Sequence, residues 1–139
     1  MVFHIDHLAV WVAAVVYFFI GGLWYAPFLF GKKWMALNSM SEAQRLANIR
    51  DKGGIGVFLI LSFAGGVVSL YAVSCILAIG QIHTALGGAT AGLLIGLAFS
   101  FVTTGVSNLF SARPFGLTLI DAGHEITAFT VCGTIIGAW

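Results

Sequence analysis

The stretch from Gly53 to Ala112, GGIGVFLILSFAGGVVSLYAVSCILAIGQIHTALGGATAGLLIGLAFSFVTTGVSNLFSA, contains no lysine, arginine, aspartate or glutamate. A helix that crosses a bilayer needs about 20 consecutive apolar residues. This stretch is long enough for two such helices, with a short loop near His83 between them. It therefore predicts an integral membrane protein.

Apolar segments on either side of this stretch add one span each. The chain has 139 residues, of which 60% are hydrophobic and 8% are charged, more apolar surface than a soluble domain of this size could bury. We predict an all-α fold, a four-transmembrane-helix bundle of two helical hairpins that forms a single integral membrane domain over residues 1–139. The expected spans cover about residues 8–30, 55–80, 85–110 and 115–139.

The only sizeable hydrophilic stretch is the loop over residues 31–54. Within it, Ser41 and Gln44 have the spacing of a capping box, which predicts a short surface helix over about residues 42–52. The glycine pair Gly53-Gly54 is expected to close that helix.

The basic residues define the expected topology. All of them lie in the first loop or in the turn before the fourth span, on the same side of a four-span protein. The positive-inside rule places those loops in the cytoplasm and both termini on the outer side. The basic residues are Lys32, Lys33, Arg45, Arg50, Lys52 and Arg113.

Composition also excludes several classes of function. A net charge of +1 gives no basic face for nucleic acid. Cys75 and Cys132 lie inside apolar segments, where free thiols behave as small hydrophobic groups, so no disulfide framework is predicted. No cofactor motif and no nucleophile–base pair are visible, and we expect that the protein is not an enzyme.

The fourth span contains the polar sequence Asp121-Ala122-Gly123-His124-Glu125. A carboxylate at the bilayer centre costs on the order of 2.5 to 3.5 kcal/mol, so intramembrane acids are usually paired, protonated or exposed to a wet path. We hypothesise that Asp121, His124 and Glu125 form a proton relay or a small cation site. Alternatively, the two carboxyl groups only hydrogen-bond hydroxyl groups and hold the bundle together. Tyr25 is a further candidate partner for Asp121.

Two ridges of residues spaced four apart predict how the third and fourth spans pack. Small residues on such ridges let helix backbones approach closely in a membrane. The third-span ridge consists of Gly88, Gly92, Gly96, Ser100, Thr104 and Asn108, and the fourth-span ridge of Asp121, Glu125, Phe129, Gly133 and Gly137. In an antiparallel hairpin the expected neighbours are Asp121 with Thr104, Glu125 with Ser100, Phe129 with Gly96, and Gly133 with Gly92.

At the outer end, His4, Asp6 and His7 are weak candidates for a metal site, because histidines with a carboxylate can bind zinc or copper. The favoured interpretation is that Asp6 is the N-cap of the first helix.

Two stretches carry a family resemblance: Gly22-Leu23-Trp24-Tyr25-Ala26-Pro27-Phe28-Leu29-Phe30-Gly31-Lys32-Lys33-Trp34, and Leu119-Ile120-Asp121-Ala122-Gly123-His124 with the terminal Gly137-Ala138-Trp139. They resemble the bacterial membrane family known as domain of unknown function 1761, and the likeness covers nearly the whole chain. The resemblance implies a four-helix bacterial membrane protein and brings no established activity.

These observations favour a small multi-pass protein of the bacterial inner membrane, embedded in the lipid bilayer and homo-oligomeric. The leading hypothesis for its function is proton- or cation-linked transport through the intramembrane acidic site. The alternative is a non-catalytic accessory or scaffold subunit that uses glycine faces to bind other membrane proteins.

Overall fold

The computed structural model describes residues 5–139. These residues form six helices, which we number in chain order: α1 (His7–Trp24), α2 (Gly31–Leu37), α3 (Glu42–Asp51), α4 (Gly54–Ile79), α5 (Ala85–Phe110) and α6 (Phe115–Ala138).

Four of the helices, α1, α4, α5 and α6, are long and apolar enough to cross a membrane, which confirms the all-α four-span fold. The most buried span, α6, packs on α5 along one face and on α1 along another, while α4 packs mainly on α1. The bundle therefore consists of two hairpins, α1–α4 and α5–α6, joined mainly through α1 and α6. We call the end that carries α2, α3 and Arg113 the loop end.

The first span is shorter than predicted. It ends at Trp24 instead of extending to residue 30, and the chain turns at Tyr25 before Pro27, whose ring removes a backbone donor. A side chain at Gly31 would collide with the backbone carbonyl of Tyr25, so this compact turn requires glycine. The chain then forms α2. This helix lies within the segment predicted to be a loop, because its two lysines make the segment hydrophilic.

The predicted surface helix is confirmed as α3. Ser41 Oγ accepts from the backbone N–H of Gln44 at 3.2 Å, and the Ser41 N–H donates to Gln44 Oε1 at 2.8 Å, completing the capping box. Gly53 then adopts a left-handed conformation with φ 102°, which ends the segment before α4 begins.

The glycine ridge of α5 packs directly on α6. An added Cβ at Gly88 would collide with the backbone of Gly133, and one at Gly92 with the backbone of Phe129. Gly137 in turn lies against Gly88. Side chains at these positions are excluded because the two helix backbones are in contact.

Between Gly96 and Phe101 the backbone of α5 forms a π-helical turn. Such a turn uses hydrogen bonds to the fifth residue along the chain and so adds one residue to the repeat. The face that α5 presents to α6 therefore continues through Phe101, which contacts the ring of Phe115, and Gly105, which lies near Thr118. Asn108 then donates to Thr118 Oγ1 at 3.0 Å.

The hydrophobic core fills the half of the bundle nearest the termini, where α1, α4 and α6 meet. It consists of Val10, Ala13, Ala14, Leu70, Val73, Leu77, Phe129 and Cys132. The two acidic side chains of the spans, Asp121 and Glu125, lie beyond this core, toward the loop end.

Candidate functional site

Glu125 lies between α6 and α1 and is bound by Tyr17. The Tyr17 hydroxyl is 2.9 Å from one carboxylate oxygen and 2.8 Å from the other, so it can donate to either. At about 1.5 Å per residue, Glu125 lies roughly 15 Å along α6 from its first residue, near the middle of the span. The side chain of Glu125 is 30% exposed.

Asp121 lies one turn closer to the loop end and binds two aromatic donors. Its Oδ1 accepts from the Tyr25 hydroxyl at 2.8 Å and from Trp34 Nε1 at 2.9 Å. Burial, followed by the Asp121 carboxylate, raises the pKa of the Tyr25 hydroxyl well above its usual range, so Tyr25 remains a donor. Through these bonds Asp121 ties the turn after α1 and the helix α2 to α6.

His124 points into the same contact between α6 and α1. Its Nδ1 lies 3.3 Å from a carboxylate oxygen of Glu125, a distance at which a protonated imidazole forms an ion pair. The imidazole is surrounded by the rings of Tyr17, Tyr25 and Trp24, with centroids 5.5, 5.5 and 6.2 Å away. His124 is only 6% exposed, and its other ring nitrogen, Nε2, has no hydrogen-bond partner among residues 5–139.

One of the aromatic rings around His124 is hydrogen-bonded to the backbone of α6. Trp24 Nε1 donates to the carbonyl oxygen of Ile120 at 2.9 Å, and the Trp24 ring packs on Phe30 with centroids 4.7 Å apart. Hydroxyl, indole, imidazole and carboxyl groups therefore converge in one contact near the loop end. This set can bind, share and release protons.

Comparison with known proteins identifies the family of the chain. Residues 8–137 match the family described as Protein of unknown function (DUF1761). The chain belongs to that family. No curated protein and no solved structure matches the chain. The DUF1761 family brings no activity to this site, which must be interpreted from its own chemistry.

Among the site residues predicted from the sequence, Asp121, His124, Glu125 and Tyr25 come together, but Ser100 and Thr104 do not join them. Across residues 5–139, no hydrogen bond links Ser100 or Thr104 to either acid, and the acids face α1 instead of α5.

The predicted neighbours Gly133 and Gly92 do lie against each other. The rest of the predicted pairing of the two ridges was wrong for a physical reason. The π-helical turn moves the α5 contact face by one residue, away from Ser100 and Thr104. On α6 the residue against Gly96 is Ile126, whereas the predicted neighbour, the Phe129 side chain, belongs to the core. The face that meets α5 thus runs beside the acids and not through them.

Three members of the site were missed. Tyr17 stands in the middle of an apolar span, and a buried tyrosine hydroxyl usually finds a partner, which was a usable signal. Trp24 and Trp34 were not among the predicted site residues, yet their indole N–H groups bind Ile120 and Asp121. No signal in the sequence showed that Trp34 would fold back onto α6.

Two of the candidate metal residues, Asp6 and His7 at the end that carries the termini, have other partners. Asp6 Oδ1 accepts from the backbone N–H of Ala9 at 3.0 Å and is the N-cap of α1, as favoured. His7 Nδ1 lies 3.1 Å from the Tyr71 hydroxyl. His4 lies outside the described residues. Within residues 5–139, no group of three histidine, cysteine or acidic side chains could hold a metal ion.

Proposed function

We propose that this protein carries out proton-linked transport across the membrane, and that Glu125, His124 and Tyr17 form its proton-binding unit. The observation that carries the proposal is that the intramembrane acids are bound by uncharged donors. Glu125 and Asp121 accept from hydroxyl and indole groups, and the four spans contain no lysine or arginine.

The partners matter because neutral donors solvate a carboxylate without cancelling its charge. A buried charge needs a compensating charge or must be neutralised. Within the four spans the available compensating group is the His124 imidazole, 3.3 Å from Glu125, which is charged only after taking up a proton. A proton bound by this pair therefore removes the cost of a charge inside the span, and its release restores that cost.

The site is proposed to exchange protons with the loop end of the bundle. On that side lie Asp121, Tyr25 and Trp34, which form a polar layer with Glu125 behind it. On the other side lies the hydrophobic core, where the ring of Phe129 packs near Tyr17 with centroids 6.0 Å apart. Full transport then requires a second conformation in which α1 and α6 separate on the core side.

The proposal includes an orientation. Because all lysine and arginine residues lie in the loops at one end, the positive-inside rule orients that end toward the cytoplasm of a cell whose inner membrane holds the protein. The proton-binding unit would then load from the cytoplasmic side in the conformation described.

Proton flux into liposomes tests the proposal. The purified protein is reconstituted with a pH-sensitive dye inside the vesicles, and a potential is applied with potassium and valinomycin. We expect flux above that of empty vesicles and its loss in Glu125→Gln. The matched control is Glu42→Gln on the exposed helix α3, which should retain wild-type flux. Equal flux in Glu125→Gln and wild type would contradict the proposal.

A second candidate function, an accessory or scaffold subunit, is favoured by the first half of α4. From residue 55 to residue 62 every residue is exposed, so this part of a spanning helix is left largely uncovered by the other spans. A second copy of the chain or another membrane protein could cover it.

Mass measurement in mild detergent separates the two proposals, because a stoichiometric foreign partner favours the scaffold. Neither proposal is enzymatic.

A further inference from the structure

The second ring nitrogen of His124 is a buried polar atom without a partner. Nδ1 faces Glu125, whereas Nε2 has no hydrogen bond and the residue is 6% exposed. Leaving a buried donor or acceptor unpaired costs free energy, because the group has given up its hydrogen bonds to water. A native protein retains such an atom for a reason that calls for explanation.

Nε2 points at the backbone of α1 at Gly21. A Cβ added to Gly21 would lie 3.2 Å from Nε2, which is tighter than ordinary van der Waals contact, and 3.9 Å from the adjacent Cε1. The next residue, Gly22, is different, because a Cβ there would meet nothing within 4 Å. At this level α1 thus has one glycine against the imidazole and one facing open space.

We propose that Nε2 of His124 is the atom through which the proton-binding unit exchanges its proton with water, and that Gly21 is the positioning residue that permits this. The inference rests on the proposed function. It identifies Gly21 on α1 as the point at which water reaches the imidazole when α1 moves.

The transfer balances without any further reactant. The carboxyl group of Glu125 gives its proton to Nδ1, which leaves a carboxylate beside an imidazolium. The bond between Nε2 and its own proton then breaks, and that proton passes to a water molecule. The imidazole returns to neutrality with its proton on Nδ1, and exchange of the proton between the two nitrogens through water resets it.

A side chain at position 21 would displace the imidazole, which has little free space around it. Tyr17, Tyr25 and Trp24 surround its other sides. A methyl group at position 21 would push the imidazole by a few tenths of an ångström and disturb the 3.3 Å contact between Nδ1 and Glu125. It would also cover Nε2 and exclude water from it.

The ionisable groups packed around the imidazole come from two elements. Tyr17 belongs to α1 and Tyr25 follows it directly, while Glu125 lies on α6 beside His124 and Asp121 binds Tyr25. Any pH dependence measured at His124 therefore reports on this group of side chains together. The variants must for this reason be compared at one fixed pH as well as across a titration.

The test compares Gly21→Ala with Gly22→Ala by nitrogen NMR of the imidazole in detergent micelles. The signals of His124 are assigned by their loss in His124→Gln, and the exchange of the Nε2 proton with water is measured. We expect Gly21→Ala to slow this exchange on the order of tenfold, because small displacements in proton-transfer geometry have large effects on rate. Gly22→Ala should exchange at the wild-type rate.

Wild-type exchange in both alanine variants would overturn the proposal. The wild-type protein gives a second test that does not depend on the folding of any variant: an Nε2 proton that fails to exchange with water over hours would also overturn it. Failure of the proposed function is seen separately, as wild-type proton flux no greater than that of empty liposomes.

Discussion

The hydroxyl of Tyr17 lies within 2.9 Å of both carboxylate oxygens of Glu125, although 108 residues separate the two in the chain. This contact joins the first and last spans near the middle of the membrane. The partner of Glu125 is thus a neutral donor. A fixed positive charge in its place would keep the carboxyl group ionised.

Replacing Tyr17 with phenylalanine should weaken the proton-binding unit while preserving the packing of the ring. Hydrogen bonds between spanning helices contribute about 0.6 kcal/mol on average, so the loss of stability is expected to be small. Proton flux should fall because Glu125 loses its hydroxyl partner. Tyr71→Phe is the matched control, since it removes a hydroxyl that binds His7 at the opposite end of the bundle. Equal loss of flux in both variants would contradict the role of Tyr17.

Replacing Asp121 with alanine should release α2 from α6. The side chain accepts from Tyr25 and Trp34, and alanine removes both bonds. We expect faster amide hydrogen exchange across Gly31–Leu37 in Asp121→Ala. Asp121→Asn retains an acceptor oxygen and should keep most of the protection. Unchanged exchange in the alanine variant would mean that other contacts hold α2.

Replacing Gly92 with alanine should destabilise the α5–α6 hairpin. The added methyl group would collide with the backbone carbonyl of Phe129, and overpacking of this kind costs about 1 to 3 kcal/mol. Gly65→Ala is the control, because nothing lies within 4 Å of a Cβ at that position of α4. Thermal unfolding in detergent should separate the two variants. A Gly92→Ala protein as stable as Gly65→Ala would show that the backbones are not in contact.

Much of the fold could be predicted because its causes are local. The uncharged stretch from Gly53 to Ala112 required two spans, and the capping-box spacing of Ser41 and Gln44 required a helix start. The repeat of glycines at every fourth residue correctly marked the α5 face that packs on α6. Each of these signals lies within one segment of the chain.

The site was predicted less well because it depends on how segments meet. A regular α-helix was assumed for α5, and the π-helical turn at Gly96–Phe101 moved Ser100 and Thr104 off the contact face. Which neighbour faces Glu125 is decided by packing between α1 and α6, which no spacing within α6 reveals. The inward turn of Trp34 likewise depends on the compact turn at Gly31.

The account rests on Glu125 and His124 acting as one unit, and a double-mutant comparison of proton flux in liposomes tests this most directly. Residues that act as a unit show strongly non-additive effects, because removing either one already abolishes the function. The account predicts that Glu125→Gln, His124→Gln and the double variant all lose flux to the same degree. Flux that persists in either single variant, or losses that multiply in the double variant, would contradict it.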